Sequence, residues 1–172
     1  FLPLICCMTF LLNTGSAATL TVTDNGDSGV GTLRQAISDS SDGDSIDFNL
    51  STGNETITIG TELAISGKAL AIDGSNTAGS GTAVTVQVAV PGTGGTASRV
   101  FNLDPGVGKT ISISKMRIKG GDISSLPENG GGIMVVSGTL NISSSTLSGS
   151  KAELGGGIYN DAAVTITSCT FD

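Results

Sequence analysis

Apolar and polar residues alternate with period two in short runs along most of the chain, the pattern of half-buried strands. Thr19-Leu20-Thr21-Val22-Thr23 is the first such run, and Ser45-Ile46-Asp47-Phe48 the second. From residue 55 onward the runs follow closely. They are Thr56-Ile57-Thr58-Ile59, Leu63-Ala64-Ile65, Leu70-Ala71-Ile72, Val84-Thr85-Val86-Gln87-Val88, Arg99-Val100-Phe101-Asn102-Leu103, Ile111-Ser112-Ile113 and Met116-Arg117-Ile118. One segment breaks the period. Leu33, Ala36 and Ile37 stand at i, i+3 and i+4, which predicts a short helix with one apolar face. Thr32 is its expected N-cap, Gln35 would complete a capping box, and Asp42-Gly43-Asp44 would end it.

The alternating runs recur in register with glycine. Gly130-Gly131-Gly132-Ile133 precedes Leu140-Asn141-Ile142 and then Leu147; Gly155-Gly156-Gly157-Ile158 precedes Val164-Thr165-Ile166 and then Phe171. Ile142 to Ile166 is 24 residues, and so is Leu147 to Phe171. Such a period predicts a solenoid in which each repeat is one turn of a β-coil. Ile113 precedes Ile142 by 29 residues and Ile72 precedes Ile113 by 41, so the strands keep register while the turns swell. Stacking coils about 4.8 Å apart would align Ile113, Ile142 and Ile166 in one inward column, with Leu70, Ile111, Leu140 and Val164 beside it. The repeated glycines mark a corner where positive φ or close backbone approach excludes a Cβ. Residues 19–50 are expected to form a helix-bearing cap over the open first coil, and residues 51–172 the coils. The insertion from Gly74 to Ser98 would leave the coil as an outward loop carrying one extra strand.

Composition supports a thin aliphatic core. Hydrophobic residues make up 38% of the 172 residues, yet aromatics are only 3% and Trp is absent. Stacked Ile, Val and Leu need no large rings to fill space. The 26 Gly against four Pro indicate many tight turns. A net charge of −7, with scattered basic residues, argues against nucleic acid as a partner. Phe1 to Leu12 is apolar and Asn13 to Ala18 small and polar, which reads as residues 1–18 of a secretory signal, cleaved before Thr19 with Ser16 and Ala18 at −3 and −1. The competing reading is a buried N-terminal strand or hairpin. Without an initiator Met or a charged n-region, the chain is expected to be truncated in front, and it stops mid-coil behind. After cleavage only Cys169 remains, so no internal disulfide is expected; it aligns with Ser145 as a small stacked side chain rather than a reactive thiol.

These motifs carry a resemblance. The Gly-Gly-Gly-Ile segments at 130–133 and 155–158 resemble the GG[AG][ILV] half of the repeats in polymorphic outer membrane proteins. Phe171 stands where the FxxN half would open, and Leu147 to Ser150 fills the earlier slot with Leu for Phe and Ser for Asn. Val22, the Gly31 to Ile37 segment, Ile46-Asp47-Phe48 and Ile72-Asp73-Gly74 look like the opening of bacterial secreted right-handed parallel β-helix proteins, as do Arg99 to Asn102 and Thr110 to Ile113. The resemblance implies an all-β, right-handed parallel β-helix. It also implies a secreted or cell-surface protein, bacterial outer membrane included, acting as a structural or adhesive segment without catalysis of its own. Host or cell-surface carbohydrate or protein would be its partner. The alternative is the N-terminal part of a polysaccharide lyase or glycoside hydrolase whose active coils lie beyond residue 172.

Candidate chemistry is sparse. The chain has no His, which removes Ser/His and Cys/His nucleophiles and imidazole metal sites. Arg117-Ile118-Lys119 spells a tripeptide found in polygalacturonases, but the companion motifs of that family are missing; Arg117 and Lys119 should project outward around an inward Ile118. Asp24, Asp27, Asp42, Asp44, Asp47, Asp73, Asp104 and Asp122 fall at turns, where a carboxylate accepts local N–H bonds. Asp42-Gly43-Asp44 lacks the spacing of an EF-hand or a nonapeptide calcium repeat. Gly106-Val107-Gly108-Lys109-Thr110 ends like a P-loop without its first glycine or a following helix. Asn49, Asn54 and Asn141 stand in N-glycosylation triplets that chance supplies in a Ser/Thr-rich chain. No catalytic, cofactor-binding or metal-binding residue is assigned and no cofactor is expected. The Gly74–Ser98 insertion is the best candidate contact surface.

Overall fold

The computed structural model describes residues 16–53, 55–78, 82–89 and 97–172; the apolar segment at 1–15, Asn54 and parts of the insertion lie outside the described residues. Among the described residues fifteen strands and one helix follow one another as β1 (Thr19–Val22), α1 (Leu33–Asp39), β2 (Asp44–Phe48), β3 (Thr56–Ile59), β4 (Leu63–Ser66), β5 (Leu70–Asn76), β6 (Thr85–Val88), β7 (Phe101–Asp104), β8 (Thr110–Ser114), β9 (Arg117–Lys119), β10 (Ile133–Val135), β11 (Thr139–Ser143), β12 (Thr146–Ser148), β13 (Ile158–Asn160), β14 (Ala163–Thr167) and β15 (Thr170–Phe171).

From β2 onward every third strand joins the same sheet, and β1 pairs with β2. Sheet A runs β1-β2-β5-β8-β11-β14, sheet B runs β3-β6-β9-β12-β15, and sheet C runs β4-β7-β10-β13. All the strand pairs are parallel. The chain is therefore a parallel β-helix, each coil laying one strand on A, then B, then C. The expected columns exist in this register. Leu20, Ile46, Ile72, Ile113, Ile142 and Ile166 align on successive strands of sheet A, and Leu70, Ile111, Leu140 and Val164 align beside them. Sheets B and C add Ile57-Val86-Ile118-Leu147-Phe171 and Leu63-Phe101-Ile133-Ile158. Alternate side chains from all three sheets fill one core, mostly Ile, Val and Leu with Phe48 and Phe101 among them. The column ends stay wet: Ile166 and Phe171 are each 49% exposed.

The insertion departs from expectation. Thr85–Val88 is no extra strand on an outward loop; β6 is a rung of sheet B between β3 and β9, with Val86 and Val88 buried against Ile57 and Ile59. Burying two valines in the column outweighs what a solvated loop would gain. At the end of the neighbouring rung a register shift falls between Ile46 and Phe48. Asn76 lies buried there and bridges coils, accepting from Leu50 N–H at 2.8 Å and donating to Leu50 C=O at 2.7 Å.

The cap forms as the pattern implies, with one change. Thr32 Oγ1 accepts from Gln35 N–H, and Leu33, Ala36 and Ile37 bury under the first coil. The capping box stays half-made, because Gln35 Nε2 donates to Asp39 Oδ1 at 2.7 Å instead of returning to Thr32. The helix also stops sooner than expected, at Ser40, whose N–H donates to Ala36 C=O. Lys68 Nζ donates to two carbonyls of the last turn, Ile37 and Ser40, an arrangement favoured by the helix dipole.

Beneath Leu70 the second column ends on Asp44, its partner in register. Asp44 is only 7% exposed, and its carboxylate accepts from Ala18 N–H and Ser41 N–H, each at 2.7 Å. The Ala18 bond, then the Ser41 bond, holds the Asp44 carboxyl below its ordinary range. A depressed folded pKa stabilises the fold above the unfolded value of about 3.9. That contribution is lost as pH falls through the folded value. Asp44→Asn is therefore expected to lower the urea midpoint at neutral pH, and to show a smaller further loss than the parent between about pH 4 and pH 2. Parallel losses for the two proteins over that range would refute the role of the charge.

Candidate functional site

The three kinds of corner differ in length, and the difference builds the site. Between sheets A and B the last three coils turn in two residues, 115–116, 144–145 and 168–169. Lys115, Ser144 and Ser168 hold φ of 52°, 50° and 54° there, a ladder of left-handed residues without glycine. Between sheets B and C the connections are 60–62, 89–100, 120–132 and 149–157. Described residues of the three longer connections are laced together: Ser98 and Asp122 exchange backbone hydrogen bonds, Ile123 N–H donates to Lys151 C=O, and Lys151 N–H donates to Gly121 C=O.

That face presents Ala64, Asn102, Met134 and Tyr159 in register. Arg99 comes from the 89–100 connection, Glu128 and Asn129 from 120–132, Glu62 precedes β4, and Asp161 follows β13. With Asn102, Met134 and Tyr159 of that face, these five residues line an open recess of about 520 Å³. Arg99 anchors it, with its side chain only 10% exposed. Its Nε lies 3.2 Å from Glu62 Oε2, and its Nη2 pairs with Glu128. Asn102 Nδ2 donates to the other Glu62 oxygen at 2.9 Å. The Tyr159 hydroxyl donates to Asp161, and that carboxylate raises the phenol's pKa by hydrogen bond and by charge, opposed by a hydrogen bond from Asn129.

The recess thus carries three carboxylates against one guanidinium, with two amides and a phenol. Both Glu62 oxygens are already engaged by protein donors. This is a set of fixed acceptors and donors suited to hydroxyl-bearing ligands. Sequence reasoning missed it, because its members come from successive coils separated by connections of unequal length. The available signal was the elastic spacing itself, since swollen turns stacked on one edge must wall a groove.

The residues singled out by sequence lie elsewhere. Arg117 and Lys119 point outward from β9 around buried Ile118. Asp42 Oδ1 accepts from Ala69 N–H at 2.7 Å and pairs with Lys109, and those contacts hold its carboxyl below the ordinary range. Asp24, Asp73 and Asp122 each accept the N–H two residues on, from Gly26, Ser75 and Ser124. Among the described residues no three acidic or cysteine side chains converge as metal ligands. Gly106 and Gly108 form a positive-φ turn, and the following Thr110 opens β8, a strand and not a helix. Cys169 precedes Thr170 as Ser145 precedes its partner Thr146, half-buried against the core. Asn49 and Asn141 are exposed, while Asn54 lies outside the described residues. No protein-family model, no curated protein and no solved structure matches this chain.

Proposed function

We propose that this chain is a structural and adhesive segment of a secreted or cell-surface rod, without catalytic activity of its own. The observation that carries the reading is the division of labour within each rung. Inward positions are consumed by a continuous apolar core, and outward positions present mostly polar side chains in register from coil to coil. A rod of this kind acts by display, holding contact groups in register over a length no single loop could span. The apolar Phe1 to Leu12 segment supports export. The Gly-Gly-Gly-Ile corners support kinship with polymorphic outer membrane protein repeats, and through it a place at a bacterial surface. Carbohydrate suits the sheet C recess as a partner, since its fixed donors and acceptors complement hydroxyl groups.

One observation favours a second reading. The recess bears carboxylates, so the chain could instead open a polysaccharide lyase or glycoside hydrolase whose active coils follow residue 172. A single comparison separates the two. Protease added to intact producing cells should remove the full-length protein, and that protein should release no reducing sugar or unsaturated uronate from pectin or alginate. Sugar release would establish the enzyme reading; resistance to external protease in intact cells, with digestion after lysis, would end the surface assignment.

A further inference from the structure

We infer that the outer face of sheet B is a docking surface for an acidic polysaccharide, with Arg117 and Lys119 contacting its anionic groups. Eight basic residues occur in the chain. Arg34, Arg99, Lys109, Lys115 and Lys151 each pair with a carboxylate, and Lys68 is spent on the carbonyls of Ile37 and Ser40. Arg117 and Lys119 are the remaining two. Both are exposed, project from the same strand, and make no ion pair among the described residues. The residues outside the described set carry no charge, so none of them supplies a hidden partner.

Their surroundings are as telling as the pair. In register with Arg117 stand Thr56, Thr85, Thr146 and Thr170; in register with Lys119 stand Thr58, Gln87 and Ser148. No strand of sheet B contains an Asp or Glu, in a chain with 15 acidic residues and a net charge of −7. The flanking carboxylates sit at the margins. Glu55 precedes β3 and accepts from Gly53 N–H, and Asp172 follows β15. The face is therefore a field of hydroxyls and one amide around two basic residues, whose backbone positions are about 6.6 Å apart along the strand, with rungs about 4.8 Å apart across it.

This chemistry fits a sugar polymer better than other polyanions. A nucleic acid needs a denser array of cations and gains from aromatic stacking, and this face offers two cations and no exposed ring in its centre. An anionic membrane rewards clustered basic residues beside an apolar wedge, which the outward positions here lack. A polysaccharide bearing carboxylates or sulfates presents sparse anions among many hydroxyls, matching the composition of the face. The inference deepens the display reading and rests on it, naming one ligand class for the rod.

The test uses the chain itself, its Arg117→Gln/Lys119→Gln variant, and a Lys115→Gln/Lys151→Gln variant that removes the same formal charge from paired lysines. Immobilised polygalacturonate, dextran sulfate and neutral dextran serve as probes at low salt. Retention by at least one acidic polymer, none by dextran, and release as salt screens the contact are expected. Arg117→Gln/Lys119→Gln should bind about tenfold more weakly with unchanged circular dichroism, and Lys115→Gln/Lys151→Gln should bind like the parent. Tighter binding to one acidic polymer identifies the anion as carboxylate or sulfate and supports the inference either way. Absence of retention, equal losses in both variants, or stronger binding to anionic lipid vesicles or nucleic acid would each overturn it. Failure here with the protein still exposed on intact cells sinks the ligand assignment alone, whereas sugar release by the full-length protein sinks the display reading and leaves the binding result standing.

Discussion

Ile142→Asp is expected to detach the distal coils while the cap and first coils stay folded. Ile142 is 1% exposed and lies between Ile113 and Ile166 in the sheet A column. A carboxylate there has no cation or donor in the column to meet it, and burying it costs several kcal/mol. A domain of this size has only about 5–15 kcal/mol of net stability. In a solenoid that stability is a sum over coils and their interfaces, so the damage stays local. Limited proteolysis should cut between residues 139 and 172 and leave a resistant N-terminal fragment, with a matching loss of strand signal in circular dichroism. Asn141→Asp is the control: one position away, exposed, and expected to change stability by less than about 0.5 kcal/mol. If both variants resisted protease like the parent, the inward assignment of Ile142 would be wrong.

Gly121→Ala should be the most damaging glycine substitution among the described residues. A Cβ on Gly121 would stand 1.7 Å from Gly131 O and 2.6 Å from Gly131 C. Both are backbone atoms, so no side chain can swing aside and the 120–132 connection must move. The movement reaches the recess, because Asp122 exchanges backbone hydrogen bonds with Ser98, beside Arg99, and Gly121 C=O accepts from Lys151 N–H at 2.7 Å. A loss of about 3 kcal/mol is expected by urea unfolding. Gly149→Ala separates the causes. Gly149 has φ of 62° but open space around its Cβ, so only the left-handed penalty of about 1 kcal/mol should appear. Gly121 has no positive φ, so equal losses at the two positions would show that the 120–132 connection relieves the close approach at little cost.

Period-two alternation made the strands legible, and the recurrence of Gly-Gly-Gly-Ile made their stacking legible. The glycine reading carried both alternatives, and both apply. Gly130 and Gly155 have φ of 74° and 64°, and a Cβ on either would come within 2.6 Å of the carbonyl oxygen of Ile133 or Ile158. Other features left no mark. Lys115, Ser144 and Ser168 occupy left-handed corners without the glycine or asparagine that would announce them. Asp44 reads as a turn residue, yet it closes a hydrophobic column, because only the register reveals that Leu70 sits above it. The extra strand foreseen at Thr85–Val88 was found, but as a rung; local pattern identifies a strand and not its place in a sheet. Arg99, Glu62 and Glu128 converge from three coils, a long-range fact that no short motif encodes.

The ladders also dictate how such a rod answers force. Its interstrand hydrogen bonds run from coil to coil, and hence along the axis in all three sheets. Tension between the ends loads them one coil at a time, so the terminal coil peels before its neighbours feel the strain. The coil from Ile142 to Ile166 is 24 residues and would release about 80 Å of extended chain. A tether of this design yields in steps, dissipating a pull by lengthening while the remaining coils keep their shape.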